Sequence, residues 1–270
     1  MTIAEVRSKL VEALALIDAL ETPMLGTPAY SRDATLLQET RTNVAFPSSM
    51  QGWSLGNATL AYNSEIAPDG TQTASRLYEN LSGGIHEIYK TCIIPAGLNC
   101  ASFHVKAGTA SKGRVWLVNG GTGIYADFDL TAGTIEAPAK LGNTTPSKSF
   151  IENVGNGWYR VAVSGTVGIP NAYADISIRS DSGSSEYVGT GKYLIVCNAQ
   201  CETGGFPSAY IPTTTAPAVR QGNAIISTMP ALTQATMLLH AKTPMVWPSD
   251  YAVLMHIDGN TTSPYNDIEV

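Results

Sequence analysis

From Val44 onward, apolar and polar positions alternate along the chain. Ala101, Phe103, Val105 and Ala107 interleave with Cys100, Ser102, His104 and Lys106. Ile124, Ala126, Phe128 and Leu130 interleave with Tyr125, Asp127 and Asp129. Tyr159, Val161 and Val163, and then Ala174, Ile176 and Ile178, repeat the pattern. A period of two with one apolar face is the mark of half-buried antiparallel strands. Tyr193-Leu-Ile-Val-Cys197 is apolar on both faces, which predicts a central strand. Turn sequences separate these segments: Pro68-Asp-Gly70, Gly120-Gly-Thr-Gly123, Gly155-Asn-Gly157 and Asp181-Ser-Gly183. No segment of helical period intervenes, so parallel βαβ units are excluded. The pattern predicts a mainly β fold, an antiparallel β-sandwich of jelly-roll type, over residues 43–215.

The first twenty residues follow a different period. Ile3, Leu10 and Ile17 recur every seven residues, and Val6, Ala13 and Leu20 form the matching second series. Leu14 and Leu16 widen the stripe. This is an a/d heptad pattern in strong helix formers. It predicts an N-terminal helix over residues 1–21, about 30 Å long. Alone in water such a helix is marginal, so it needs partners. Isoleucine at the a positions suits two or three strands, and the expectation is a homotrimer. The alternative is a helix folded back on its own domain. Pro23 ends the helix, and residues 22–42 read as a linker containing a proline-stiffened tether. A second linker composition, Pro212-Thr-Thr-Thr-Ala-Pro217, opens residues 216–270. There Ala224–Ser227, Met237–His240 and Ala252–Ile257 read as the first strands of a second β domain.

Composition narrows the function. Charged residues make up 14% of the chain, against about 25% in ordinary soluble domains. Net charge is −6 and no basic run occurs, which excludes the counterion displacement that nucleic-acid binding requires. No apolar run approaches the ~20 residues that span a bilayer, so membrane insertion is not expected. Glu5, Arg7, Lys9, Glu12 and Asp18 interrupt any leader-like apolar stretch, and no secretory signal is expected. Cys92, Cys100, Cys197 and Cys201 are then expected as free buried thiols. Cys197 and Cys201 lack the tight knuckle spacing and nearby histidine of a zinc site.

Catalytic motifs are sparse. No His-Glu-x-x-His motif or phosphate-binding glycine loop occurs. Asp127 and Asp129 share a strand face about 7 Å apart, a spacing open to a glycosidase pair, although a solvated strand face is the simpler reading. His104 shares a face with Cys100 and reads as a polar rim residue. The other histidines, His86, His240 and His256, form no motif. No cofactor or metal is expected, and no clustered carboxylate loop marks a calcium site. Sugar binding is the stronger candidate, because flat aromatics stack on pyranose rings. Trp53, Trp116 and Tyr125 are the candidate platform residues.

Six segments also resemble, in order, a module of tailed-bacteriophage structural proteins known as the head-spike or head-fibre domain. This module is similar in form to jelly-roll carbohydrate-binding modules. The segments are Trp53–Thr59, Ile66–Ala74, Phe103–Gly108, Ala126–Thr134, Val154–Arg160 and Cys197–Thr213. Leu254–Asn260 resembles the opening strands of a laminin-G-like domain. The resemblance implies a non-enzymatic virion structural protein, a head fibre, capsid decoration or tail fibre. Its N-terminus would attach to phage capsid or tail proteins, and its jelly roll would be displayed on the virion surface towards host surface glycans. The rival expectation is a carbohydrate-binding module of a bacterial polysaccharide-degrading enzyme, and a glycosidase is the third.

Overall fold

The structure, a computed structural model, describes residues 40–168 and 170–222. The expected helix with Ile3, Val6, Leu10, Ala13, Ile17 and Leu20, the tether after it, and the second β domain from 223 lie outside the described residues.

In chain order the strands are β1 (Arg41–Asn43), β2 (Ser54–Gly56), β3 (Ala58–Glu65), β4 (Ala74–Glu79), β5 (Gly83–Gly84) and β6 (His86–Cys92). Then come β7 (Gly97–Ala107), β8 (Lys112–Asn119), β9 (Thr122–Asp129), β10 (Thr134–Ile135), β11 (Ala139–Leu141) and β12 (Thr145–Gly155). The series closes with β13 (Trp158–Val167), β14 (Ala172–Ile178), β15 (Tyr187–Val188), β16 (Tyr193–Thr203) and β17 (Ala218–Arg220). Among the described residues there is no helix, and the strand pairings are antiparallel.

Two sheets carry the fold. One runs β12-β13-β7-β16-β4-β3, and the other runs β10-β9-β8-β14-β6-β2, with β11 also on β9. The pairing follows a nested rule. Of eight principal strands, the first pairs with the last (β4 with β16), the second with the seventh (β6 with β14), the third with the sixth (β7 with β13) and the fourth with the fifth (β8 with β9). This is one long hairpin rolled up so that β16 lies beside β7 and β14 beside β8. A hairpin rolled in this way is a jelly roll.

The alternating apolar rows meet between the sheets. Phe103, Val105, Val161, Val163, Leu194 and Val196 face Val115, Leu117, Ile124, Ile176 and Ile178, all fully buried. Each such side chain contributes about 1.5–3 kcal/mol by leaving water. The turns follow their chemistry. Gly120 and Gly121 have φ of 55° and 85°, and Asn156 and Gly157 have φ of 53° and 78°. Both pairs close two-residue hairpins, where two positive φ angles match the twist of the flanking strands.

Two features extend the expected domain. Arg41 and Thr42 are not linker but part of β1, which pairs with β17, so the folded unit runs on to Arg220. In addition, residues 204–213 turn back across the outer face of the β7–β16 region. Ser208 donates to Glu202 through its N–H (2.8 Å) and its hydroxyl (2.6 Å), and Ile211 N–H donates to Gln200 Oε1 at 2.8 Å. This segment buries the polar row Gln200, Glu202 and His104.

Candidate functional site

On the outer face of the β8–β9–β14 sheet, Trp116 and Tyr125 are cross-strand partners with ring centroids 4.8 Å apart. They do not form a bare platform. The Arg114 guanidinium lies 4.0 Å from the Tyr125 centroid and 4.6 Å from that of Trp116. Trp116 is 9% exposed, and its Nε1 donates to Ser177 Oγ at 3.1 Å. The strand alternation does place both rings on the polar face, but a sugar could stack there only after displacing Arg114.

Trp53 requires a correction. It is 4% exposed, sits in the core and meets Phe103 edge-on at 6.2 Å. Its Nε1 donates to the Pro47 carbonyl at 2.9 Å, so it supports the 46–51 loop from beneath and offers no ring face to a ligand.

Asp127 is not a solvated strand residue. It is buried and ion-paired with both Arg114 and Arg179, and Arg114 Nη2 donates to its Oδ2 at 2.9 Å. Asp129, in contrast, accepts from the N–H of Thr131 in its own turn. The two carboxylates therefore face different tasks, and neither is a free acid or base. His104 is likewise buried rather than on a rim. Burial, helped by the positive charge of Arg160, lowers its pKa to about 4, and Tyr210 packs on it edge-on. His86 is fully buried between the carbonyls of Asn57 and Tyr187. The four cysteines are free and buried. Cys92 and Cys201 lie in the core between the sheets, and Cys100 shares the covered outer row with Glu202.

One carboxyl stands apart. Asp175, on β14 between Trp116 and Tyr89, is 4% exposed and its Oδ1 has no hydrogen-bond partner. Burial, then the charge and hydrogen bond of Glu87, push its pKa well above the carboxylate range, while Arg114 opposes the shift.

A concavity lies elsewhere, at one end of the sandwich. A groove of about 680 Å³ opens between the 46–51 loop, the β3–β4 turn and the returning segment at 210–215. Phe46, Ser49 and Gln51 line one side, and Asp69, Thr71 and Thr73 the other. Lys90, Asn198 and Tyr210 complete it. Each is positioned for a physical reason. The β16 register slips between Cys197 and Gln200, and Asn198 at that bulge has φ of 54°. Bulges of this kind re-aim a side chain. Tyr210 is fixed by the hydrogen bond between its hydroxyl and Ser48 Oγ at 2.6 Å. Asp69 accepts from the N–H of Thr71 at 2.9 Å and from its hydroxyl at 2.7 Å. Those bonds hold its carboxyl below the usual range. The groove therefore offers two aromatic rings, amide and hydroxyl groups, a carboxylate and an ammonium. That donor set suits a polyhydroxylated ligand with apolar ring faces.

Sequence reasoning did not find this site. Phe46, Lys90, Asn198 and Asp69 come from four separate segments, and only Lys90 leaves a local trace, as a charge at an apolar position of β6.

No protein-family profile matches the chain, and no curated protein matches it. Among solved structures, the chain is similar to TmCBM61 in complex with β-1,4-galactotriose. The TM-score is 0.35 with 10% identity, covering 60% of this chain and 99% of that one. The jelly-roll assignment rests on the strand pairings of the chain itself.

Proposed function

We propose that this protein is a non-enzymatic glycan-attachment module, and that it works as a displayed component of a bacteriophage particle. The observation that carries the binding role is the groove, in which Phe46 and Tyr210 flank Asp69, Asn198, Gln51 and Lys90. Aromatic rings give a pyranose its stacking surface, and the convergent polar groups fix its orientation. The non-enzymatic reading is supported by how Asp127 and Glu79 are engaged. Asp127 is held by two arginines, and Glu79 accepts from Thr190, Lys192 and Tyr187.

The particle setting is supported by the heptads of residues 1–21 and by the resemblance of six ordered segments. In it, the heptads form a homotrimer or dock on capsid or tail proteins, and several copies strengthen a weak site by avidity. The rival, a carbohydrate-binding module of a polysaccharide-degrading enzyme, leaves those heptads without a role.

Two experiments test the proposal. The full chain is screened on an array of bacterial surface glycans beside Phe46→Ala and Tyr210→Ala. Binding lost in both variants with melting temperature retained supports the groove; no binding to any glycan sinks it. Native mass before and after deletion of residues 1–21 tests assembly, and a monomeric full chain refutes the trimer.

A further inference from the structure

Lys90 occupies a position where its residue type is unfavourable. Along β6 the residues His86, Ile88, Lys90 and Cys92 form the inward row, and the other three are fully buried. Across the ladder Lys90 pairs with Ala174, which is also fully buried. The pleat therefore points a lysine at the core, where a valine or leucine would be expected from the pattern. The side chain escapes at the open end of the sandwich. Its ammonium emerges in the groove, 5.7 Å from the Phe46 ring centroid. Among the described residues it has no ion-pair partner. A local rule broken with no ion pair to compensate points to function.

Asp69 also lines the groove and has no ion-pair partner among the described residues either. Its carboxyl is held by the N–H and hydroxyl of Thr71, at 2.9 and 2.7 Å. The groove thus carries two charged groups, an ammonium beside Phe46 and the carboxylate of Asp69. A neutral sugar uses the carboxylate through its hydroxyl groups and leaves Lys90 unanswered. A sugar bearing a carboxylate satisfies both, with the acid group on Lys90 and hydroxyls donating to Asp69.

We infer that the groove selects acidic glycans, those built from sugar acids such as hexuronates, with Lys90 as the selecting residue. This inference rests on the glycan-binding reading of the groove. A lysine–carboxylate contact is a charge-assisted hydrogen bond and is stronger than a neutral one. It is also screened by salt, because the groove is open to solvent.

The test uses the full chain and titration calorimetry with two probes of equal length, an oligogalacturonate and a neutral β-1,4-galacto-oligosaccharide. The wild-type chain is expected to bind the acidic probe about tenfold more tightly, a difference of about 1.4 kcal/mol. That preference should shrink as salt is raised. Lys90→Gln keeps most of the stem and is expected to abolish the preference, whereas Lys90→Arg retains it. Melting temperatures confirm that the variants fold. Equal binding of both probes, with Lys90→Gln indifferent, overturns acid selection and leaves the glycan reading standing. Binding of neither probe, nor of any arrayed glycan, by folded wild-type chain overturns both.

Discussion

Asn43 makes the strongest single-residue prediction. It is fully buried, and its side chain holds three segments together. Nδ2 donates to the carbonyls of Ala199 at 3.0 Å and Ile211 at 2.9 Å, while Oδ1 accepts from the N–H groups of Ala45 at 2.9 Å and Cys201 at 3.0 Å. Ala45 leads into the 46–51 loop, Ala199 follows the bulge that aims Asn198, and Ile211 precedes Pro212 on the returning segment. These are three walls of the groove. Asn43→Ala strips all four partners at once. A net ~1 kcal/mol per hydrogen bond gives a loss of about 4 kcal/mol. Water entering the vacated space would trim that figure, and any partner left dry would raise it. For a domain of this size each kcal/mol moves the midpoint by ~2–4 °C, so the melt should fall by roughly 10–15 °C.

Asn43→Asp sharpens the test. It keeps the shape but turns the donor into an oxygen facing two carbonyls, and at neutral pH it buries a charge. It should therefore destabilise more than alanine at pH 7 and partly recover in acid. Urea unfolding by circular dichroism measures both variants. Asn153→Ala is the control: its carboxamide caps an exposed hairpin turn at Gly155, and its effect should stay within about 0.5 kcal/mol. A loss under about 1 kcal/mol for Asn43→Ala, with an unchanged denaturant slope, would refute the reasoning.

Other predictions follow from the charged and thiol groups. The folded pKa of Asp175 is raised above its ordinary value of 3.8, so the folded state holds the extra proton. Its stabilising contribution is complete below the unfolded value and is lost as pH rises through the folded one. Asp175→Asn should flatten the decline in melting temperature as pH rises above about 4; identical slopes for the two proteins would rule this out. Arg114→Gln removes one of the two cations on buried Asp127 and should cost about 2–3 kcal/mol. It also uncovers Trp116, so indole emission should shift to the red, and a change under ~0.5 kcal/mol with unmoved emission would contradict the buried pairing. Burial raises the thiols of Cys100 and Cys197, and a hydrogen bond to Cys92 with burial raises that of Cys201. Ellman's reagent at pH 8 should label no cysteine in the native chain and all four in denaturant, and prompt native labelling would show the assignment to be wrong.

The sandwich was legible because its strands repeat a period that local sequence reports. The row Ala101, Phe103, Val105 and the Gly120-Gly121 turn carry their own structural instruction. The groove was not legible, because each of its walls is set by a contact remote in sequence. Asn198 turns into it because the β16 ladder slips against His104 and Ser102, and no alternation rule foresees the slip. Trp53 was misread because a tryptophan ahead of a short strand looks the same whether a loop covers it or not. His104 and Asp127 looked solvated because a polar face of a strand says nothing about what crosses it. The tail at 204–213 crosses one, and Arg114 with Arg179 fills the other.

That difference between the two outer faces explains where a ligand can bind. The β7–β16 face carries a row whose polar groups, Gln200 and Glu202 among them, are closed by Ser208 and Ile211 of the returning segment. Gln200 and Glu202 therefore spend their hydrogen bonds internally. On the opposite sheet, Arg114 answers Asp127 and stacks on Trp116 and Tyr125 at the same time, so a ligand there must first break a stacked ion pair. At the end of the sandwich the returning segment passes from Ile211 to Thr213, where Thr213 N–H donates to Ser48 Oγ and Thr213 Oγ1 to the Ala45 carbonyl. The segment clamps the loop without filling the space beside it. Asp69, Lys90 and Asn198 thus remain exposed to a ligand on a frame held rigid by Asn43 and Ser48. Rigid positioning of a few polar groups lowers the ordering cost of binding. A substitution at Asn43 mild enough to leave the chain folded should therefore weaken glycan affinity without touching the glycan.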